Sequence, residues 1–201
     1  MNRAARRFVV CLPFRDMDAP RSLPRVARSE PVPDDVRRLL RGLPEWFGID
    51  EAIDSYVEAA RSLTTYVVRE GSDGIAGTEP GEDADGASYG DGKIIGVCLV
   101  ERHSEYSSEI HLLAVEREHH RRGIGQALMR RAERDLELDG KEFLQVKTLG
   151  ASHPSPEYAA TRHFYEALGY RALQELPADE LWPGNPCLIM VKALRPHSPA
   201  A

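Results

Sequence analysis

The stretch that most limits how this chain can fold runs from Glu109 to Leu138. It joins an apolar segment, Ile110-His111-Leu112-Leu113-Ala114-Val115, to a basic turn, His119-His120-Arg121-Arg122. A Gly123-Ile124-Gly125 step and a long amphipathic run follow. The apolar segment reads as a strand, whereas Leu128, Met129, Ala132 and Leu136 recur at helical spacing. A strand that passes into a helix through two glycines aims several main-chain N–H groups, and the positive end of a helix dipole, at one point in space. Residues without side chains let an anion approach that backbone, and Arg121 and Arg122 add charge beside it. The unit predicts an anion cradle suited to phosphate, with Gly125 opening the helix. Arg130, Arg131, Glu133, Arg134 and Glu137 form the predicted wet face of that helix, and Gly140 its stop.

A chain of 201 residues is long enough to bury one substantial core. Its net charge of −6 argues against a nucleic-acid-binding surface while leaving room for a cationic substrate. Cys11, Cys98 and Cys187 stand far apart with no C-x-x-C pair, so neither a disulfide framework nor a cysteine metal site is expected. The one N-terminal apolar run, Phe8 to Leu12, is too short for a signal-peptide core or a membrane span, and the chain reads as cytoplasmic.

Three segments organise the chain. Residues 1–22 read as an arginine- and proline-rich extension, residues 23–195 as the domain, and 196–201 as a tail. Within the domain, residues 71–92 form an acidic, glycine-rich insertion nearly devoid of large apolar groups, placed to join two strands of a hairpin. A short strand at Val26–Ser29 precedes a helix capped by Asp34 and a second helix from Asp50 to Arg61, which buries Ile49, Ile53, Tyr56, Val57 and Ala60. Strands follow at Thr64–Arg69, Lys93–Glu101 and Glu109–Val115, then the amphipathic helix and a strand at Phe143–Leu149. Ser155-Pro156-Glu157 starts a last helix that Gly169 stops, before strands at Tyr170–Leu176 and Cys187–Leu194. Consecutive strands in the middle predict antiparallel hairpins, and strand-helix-strand around residues 124–138 predicts one parallel pair. The result is a mixed, mostly antiparallel α/β sheet flanked by helices.

Two motifs carry a family resemblance. The strand into Arg122-Gly123-Ile124-Gly125-Gln126-Ala127-Leu128 resembles the acyl-CoA-binding core of the GNAT N-acetyltransferases. Arg162-His163-Phe164-Tyr165-Glu166-Ala167-Leu168-Gly169-Tyr170 resembles their later helix, close to F-Y-E-x-L-G-F, and stands in the right order after it. His120 occupies the position where the family has glutamine or arginine, and no asparagine follows the fifth strand. The resemblance implies acetyl-CoA as co-substrate and transfer of its acetyl group to an amine by direct attack. A small-molecule acceptor is expected, and a homodimer is compatible with it. An acyl-CoA sensor with a degenerate active site is the competing reading. A Rossmann site lacks its third glycine, and a P-loop lacks Gly-Lys-Ser/Thr.

That chemistry needs a base for the ammonium group, a donor to the carbonyl oxygen and a proton for the departing thiolate. Glu109 is the first candidate base and matches a glutamate at the start of this strand in some family members. His111, two residues on, is the second, and shares a strand face with Glu109 unless a bulge intervenes; Glu101 on the neighbouring strand is a weaker third. Backbone N–H groups near Leu113, Ala114 or Val115 would polarise the thioester. Val115, with the turn from His120 through Arg121, Arg122, Gly123, Ile124 and Gly125 to Gln126, would hold the cofactor, and Arg121 and Arg162 would meet its outer phosphate. Tyr165 takes the proton-donor role by its place in the motif. With Phe164 in a buried stripe alongside Ala160 and Leu168, Tyr165 points to an edge of its helix. The acceptor pocket of such folds falls to the loop between the first two helices, here Trp46 and Phe47, with Tyr56 nearby.

Overall fold

Alternation along each strand decides which helix each side chain meets. Tyr66, Val68, Cys98 and Val100 pack into one apolar cluster, while Val67, Val97 and Leu99, their neighbours in sequence, pack into another. Strands buried on both faces need nearly continuous apolar sequence, which is what these segments carry. In the computed structural model, which describes residues 24–71 and 92–194, these residues form seven strands and four α-helices in order. They are β1 (Ala27–Ser29), α1 (Pro33–Arg41), α2 (Asp50–Ala59), β2 (Thr64–Arg69), β3 (Ile94–Arg102), β4 (Ser107–Val115), α3 (Ile124–Leu138), β5 (Phe143–Leu149), α4 (Pro156–Ala167), β6 (Arg171–Leu176) and β7 (Cys187–Ala193). The sheet has the order β1-β2-β3-β4-β5-β7-β6, and only β4 and β5 are parallel. This is the expected mixed, mostly antiparallel sheet.

One layer sets α3 and Tyr165 of α4 against the sheet, through Ile124, Leu128, Met129, Ala132 and Leu136. The other sets α1 and α2 against the opposite face, through Val36, Leu39, Leu40, Ile53 and Val57. Each fully buried leucine, valine or isoleucine of these layers contributes roughly 1.5–3 kcal/mol relative to exposure. β2 and β3 form the expected hairpin; residues 72–91 of the insertion, the N-terminal extension and the tail lie outside the described residues. Among the described residues no helix is long and apolar enough to cross a membrane.

Several local expectations are corrected. Asp34 does not cap α1: Val32 holds that position, and Asp34 sits in the first turn, where its charge suits the dipole. Ile49 precedes α2 and is exposed, so the buried face of that helix begins at Ile53. Glu133 is buried, not wet, because α3 lies low enough on the sheet for its carboxylate to reach the Tyr170 hydroxyl (3.2 Å) and the Lys192 ammonium (2.6 Å). On α4, Ala160 is exposed and Phe164 half-buried, whereas Tyr165 is the residue the core takes in.

Candidate active site

The site begins where two strands part. β4 and β5 pair from Ser107↔Phe143 to Ile110↔Val146 and no further, although β4 continues to Val115 and β5 to Leu149. The cause lies on the other side of β4. There Leu99 pairs with Leu112 and Val100 with Ile110, so His111 is an extra residue with no partner on β3. Such a bulge bends its strand and increases the local twist. It also moves Leu112 and Ala114 onto the α1/α2 face, leaving Ile110, Leu113 and Val115 with the α3/α4 cluster. The bulge that sequence could only allow for is therefore present, and it opens a wedge between β4 and β5.

At the wide end of the wedge stands the cradle. Gly123, not Gly125, is the residue that starts α3: its φ of +83° is left-handed, and the helix runs from Ile124. Among the described residues no acceptor is found for the main-chain N–H groups of Arg121 through Gln126, which lie at or before the head of α3. α3 can sit this close to the sheet because Gly96 of β3 lies beneath it. A Cβ there would stand 2.8 Å from Ile124 Cγ2. Arg121 and Arg122 are exposed at the turn. The His120 imidazole turns inward instead, its Nε2 donating to the Val115 carbonyl (2.8 Å). Arg162 is directed at the end of β5, where its guanidinium donates to the carbonyls of Leu149 (2.9 Å) and Gly150 (3.1 Å).

Tyr165 approaches from α4 with its ring in the core, edge-on to Phe164 and Tyr170. Among the described residues its hydroxyl has no hydrogen-bond partner. Burial, with smaller contributions from Cys98, Tyr56 and Tyr158, pushes its pKa well above the ordinary phenol value. The phenol therefore stays protonated at neutral pH and keeps its O–H available to donate.

The opposite side of the wedge is built from charged and aromatic side chains. Glu109 is buried, and its Oε2 accepts from Gln145 (2.6 Å), Lys147 (2.7 Å) and His103 (3.0 Å). Burial works to raise this carboxyl, but those three hydrogen bonds and the Lys147 charge outweigh it and hold the group below its ordinary value. His111 lies half-buried, with Nδ1 3.3 Å from Glu101 Oε2 and its ring edge-on to Tyr56 at 5.5 Å. Tyr56 in turn meets Phe47 edge-on, and burial followed by the Glu109 charge raises its pKa.

Trp46 does not simply wall a pocket. Its indole Nε1 donates to Thr161 Oγ1 of α4 (3.1 Å), its carbonyl accepts from the Tyr158 hydroxyl (2.8 Å), and its ring lies edge-on to His120 at 5.8 Å. Arg117 lies over the same ring and pairs with Glu45. The loop between α1 and α2 is thus tied both to the cradle and to the helix that carries Tyr165. His103, Gln145, Lys147, Tyr158 and Thr161 were not singled out from sequence. One signal was available: Gln145 and Lys147 alternate with the apolar Leu144 and Val146, which marks a polar face on an interior strand. Among the described residues no group of three or more His, Cys, Asp or Glu side chains is placed to hold a metal ion.

Residues 84–172, which hold the wedge, the cradle and Tyr165, match the family model described as "Acetyltransferase (GNAT) domain". Solved structures share the fold. A GNAT-family acetyltransferase from Desulfovibrio desulfuricans superposes with a TM-score of 0.61 at 20% identity, covering 84% of this chain and 98% of that one. The ribosomal-protein-S18-alanine N-acetyltransferase of Escherichia coli gives a TM-score of 0.58 at 14% identity, covering 89% and 97%. An aminoglycoside 6'-N-acetyltransferase complexed with coenzyme A gives 0.57 at 19%, covering 87% and 99%. No curated protein matches the sequence. Residues 84–172 thus carry the sequence match to the GNAT acetyltransferase family, and the chain as a whole has the fold of these GNAT structures.

Proposed function

We propose that the protein is a cytoplasmic, acetyl-CoA-dependent N-acetyltransferase that acetylates a primary amine, most simply that of a small molecule, by direct attack in a ternary complex. The observation that carries this reading is the wedge: β4 and β5 stop pairing at Ile110↔Val146, beside a run of unpaired amides that ends at the head of α3. The residues suit the group. The amides of Arg121 to Gln126, with the charges of Arg121 and Arg122, would hold the pyrophosphate, and the freed edge of β4 at Leu113, Ala114 and Val115 would pair with the pantetheine arm. His120 supports the cradle by fixing the Val115 carbonyl. Arg162, already engaged by two carbonyls, braces the end of β5 in this scheme and is free for a phosphate only if it leaves them.

Bound acetyl-CoA supplies the activated acyl group. The amine nitrogen forms a bond to the thioester carbon, the carbon–sulfur bond breaks, and the sulfur leaves as a thiolate. A main-chain N–H of Leu113 to Val115 stabilises the oxygen as it gains charge. Tyr165 donates to the sulfur. His111 at the apex of the wedge and Glu109, two residues before it in the paired part of β4, are the candidate bases for the acceptor nitrogen, and Trp46, Phe47 and Tyr56 would enclose the acceptor. Two of the similar structures are named for different acceptors, an aminoglycoside and a protein alanine, so the fold alone does not select one.

The test is release of free CoA thiol from acetyl-CoA across a panel of primary amines, with calorimetry of acetyl-CoA binding alongside. The expected result is binding and amine-dependent release. Tyr165→Phe should lower turnover while acetyl-CoA affinity stays within about twofold, since the backbone does the holding. Binding without release for any amine would replace this reading with that of an acyl-CoA sensor.

A further inference from the structure

The two candidate bases on β4 differ in how much of each is already committed. Oε2 of the Glu109 carboxylate is taken by three donors, one of them the Lys147 ammonium only 2.7 Å away. A carboxylate in this state is a weak proton acceptor: taking up a proton would cost it that ion pair inside a nearly closed site. Glu109 joins β5 to the end of β3 through Gln145, Lys147 and His103, below the point where the strands diverge.

His111 is placed differently. It is the residue of the bulge and also the first residue beyond the last β4–β5 pair, so it stands at the apex of the wedge. Its Nδ1 faces the Glu101 carboxylate of β3 at 3.3 Å, and its ring rests edge-on against Tyr56 of α2. Among the described residues, Nε2 has no hydrogen-bond partner. The charged and titratable groups around it are Glu101 from β3, Tyr56 from α2, and Glu109 of its own strand, the last already neutralised by Lys147.

We propose that His111 is the general base, its ring oriented by Glu101 as a positioning residue, and that Glu109 is a structural tie rather than the base. This rests on the acetyl-transfer reading and specifies its proton step. The acceptor ammonium gives one proton to His111 Nε2, the nitrogen lone pair so freed forms the bond to the thioester carbon, and the carbon–sulfur bond breaks. The departing thiolate takes its proton from Tyr165, and the second proton, left on the acylated nitrogen, restores the Tyr165 phenol by way of water. The imidazolium, facing Glu101, then returns the proton to solvent.

Removal of a proton before attack is needed only for a nucleophile that arrives protonated, which gives the test its discrimination. Thiol release from acetyl-CoA is followed with the fastest alkylamine of the panel and, separately, with hydroxylamine, which is already uncharged at neutral pH. For His111→Gln, turnover with the alkylamine should fall about 100-fold, while turnover with hydroxylamine and the KM for acetyl-CoA change less than about threefold. Glu101→Gln should show the same split at about tenfold, from kcat alone. Glu109→Gln, which keeps an acceptor oxygen for the three donors, should lower both nucleophiles together or neither. The proposal is overturned if His111→Gln slows both nucleophiles equally, or if Glu109→Gln shows the selective loss. Wild-type protein inert to both nucleophiles would instead overturn the acetyl-transfer reading and this proposal with it.

Discussion

The two sides of the wedge do similar work with different materials. On the α3/α4 side the candidate cofactor site is mostly backbone: a left-handed glycine, a helix head and a strand edge freed of its partner. On the α1/α2 side the candidate acceptor site is side chain: Glu109 with its three donors, His111 with Glu101, and the aromatic series Phe47-Tyr56-His111. A backbone site needs only the fold and a few small residues, so its exposed side chains are free to vary. A side-chain site depends on each partner, because removing one leaves another buried and unpaired. Substitutions should therefore separate the two sides by their cost to stability.

Glu109→Ala should show the largest effect. It strands Lys147, Gln145 and His103 around a lost anion and is expected to cost about 3 kcal/mol in denaturant unfolding. The same group predicts a pH dependence. Its folded pKa lies below the ordinary 4.5, so its stabilisation is complete above that value and is lost as pH falls through the folded value. Glu109→Gln should accordingly show a shallower loss of Tm on acidification below about pH 4.5 than wild type.

Gly96→Ala comes next and tests whether the backbone side is as tolerant as it looks. Its Cβ would press on Ile124 and Leu128. An overpacking cost of about 2 kcal/mol is expected, together with weaker acetyl-CoA binding by calorimetry as the head of α3 is pushed outward. A neutral result on both counts would mean that the cradle does not depend on this close approach. Thr161→Val, which removes the acceptor of the Trp46 indole, should cost about 1 kcal/mol in the same unfolding assay. The smallest effect belongs to Arg122→Ala. Exposed and set on a backbone site, it should change stability by less than about 0.5 kcal/mol while weakening acetyl-CoA about two- to fivefold in calorimetry. If Arg122→Ala destabilised the fold as much as Glu109→Ala, the contrast between the two sides would fail.

The same contrast governs how much could be read from sequence. Strands such as Thr64–Arg69 and Phe143–Leu149, and the Ser155 cap of α4, follow from local signals and are found where those signals place them. The cradle is a local motif, which is why its residues could be named, although Gly123 and not Gly125 proved to be the helix start. What escaped was set by tertiary geometry. Helical spacing relative to Phe164 put Tyr165 at an edge, but α4 meets the sheet at another angle and buries it. Glu133 reads as solvent-facing until Lys192 and Tyr170 arrive from distant parts of the chain. The partners of Glu109 come from β5 and from the turn before β4, and no spacing within β4 announces them.

The bulge at residue 111 has a consequence for the evolution and engineering of this chain. Excise His111, and Val100↔Ile110 would pass directly to Leu99↔Leu112 as neighbouring rungs of an unbroken ladder. Ile110 would still meet one core and Leu112 the other. The alternation between the two layers, in other words, does not need this position: it is a supernumerary residue whose ring meets only the margin of one layer, at Tyr56. Its shortened relative would be a well-formed sheet with its central seam zipped shut.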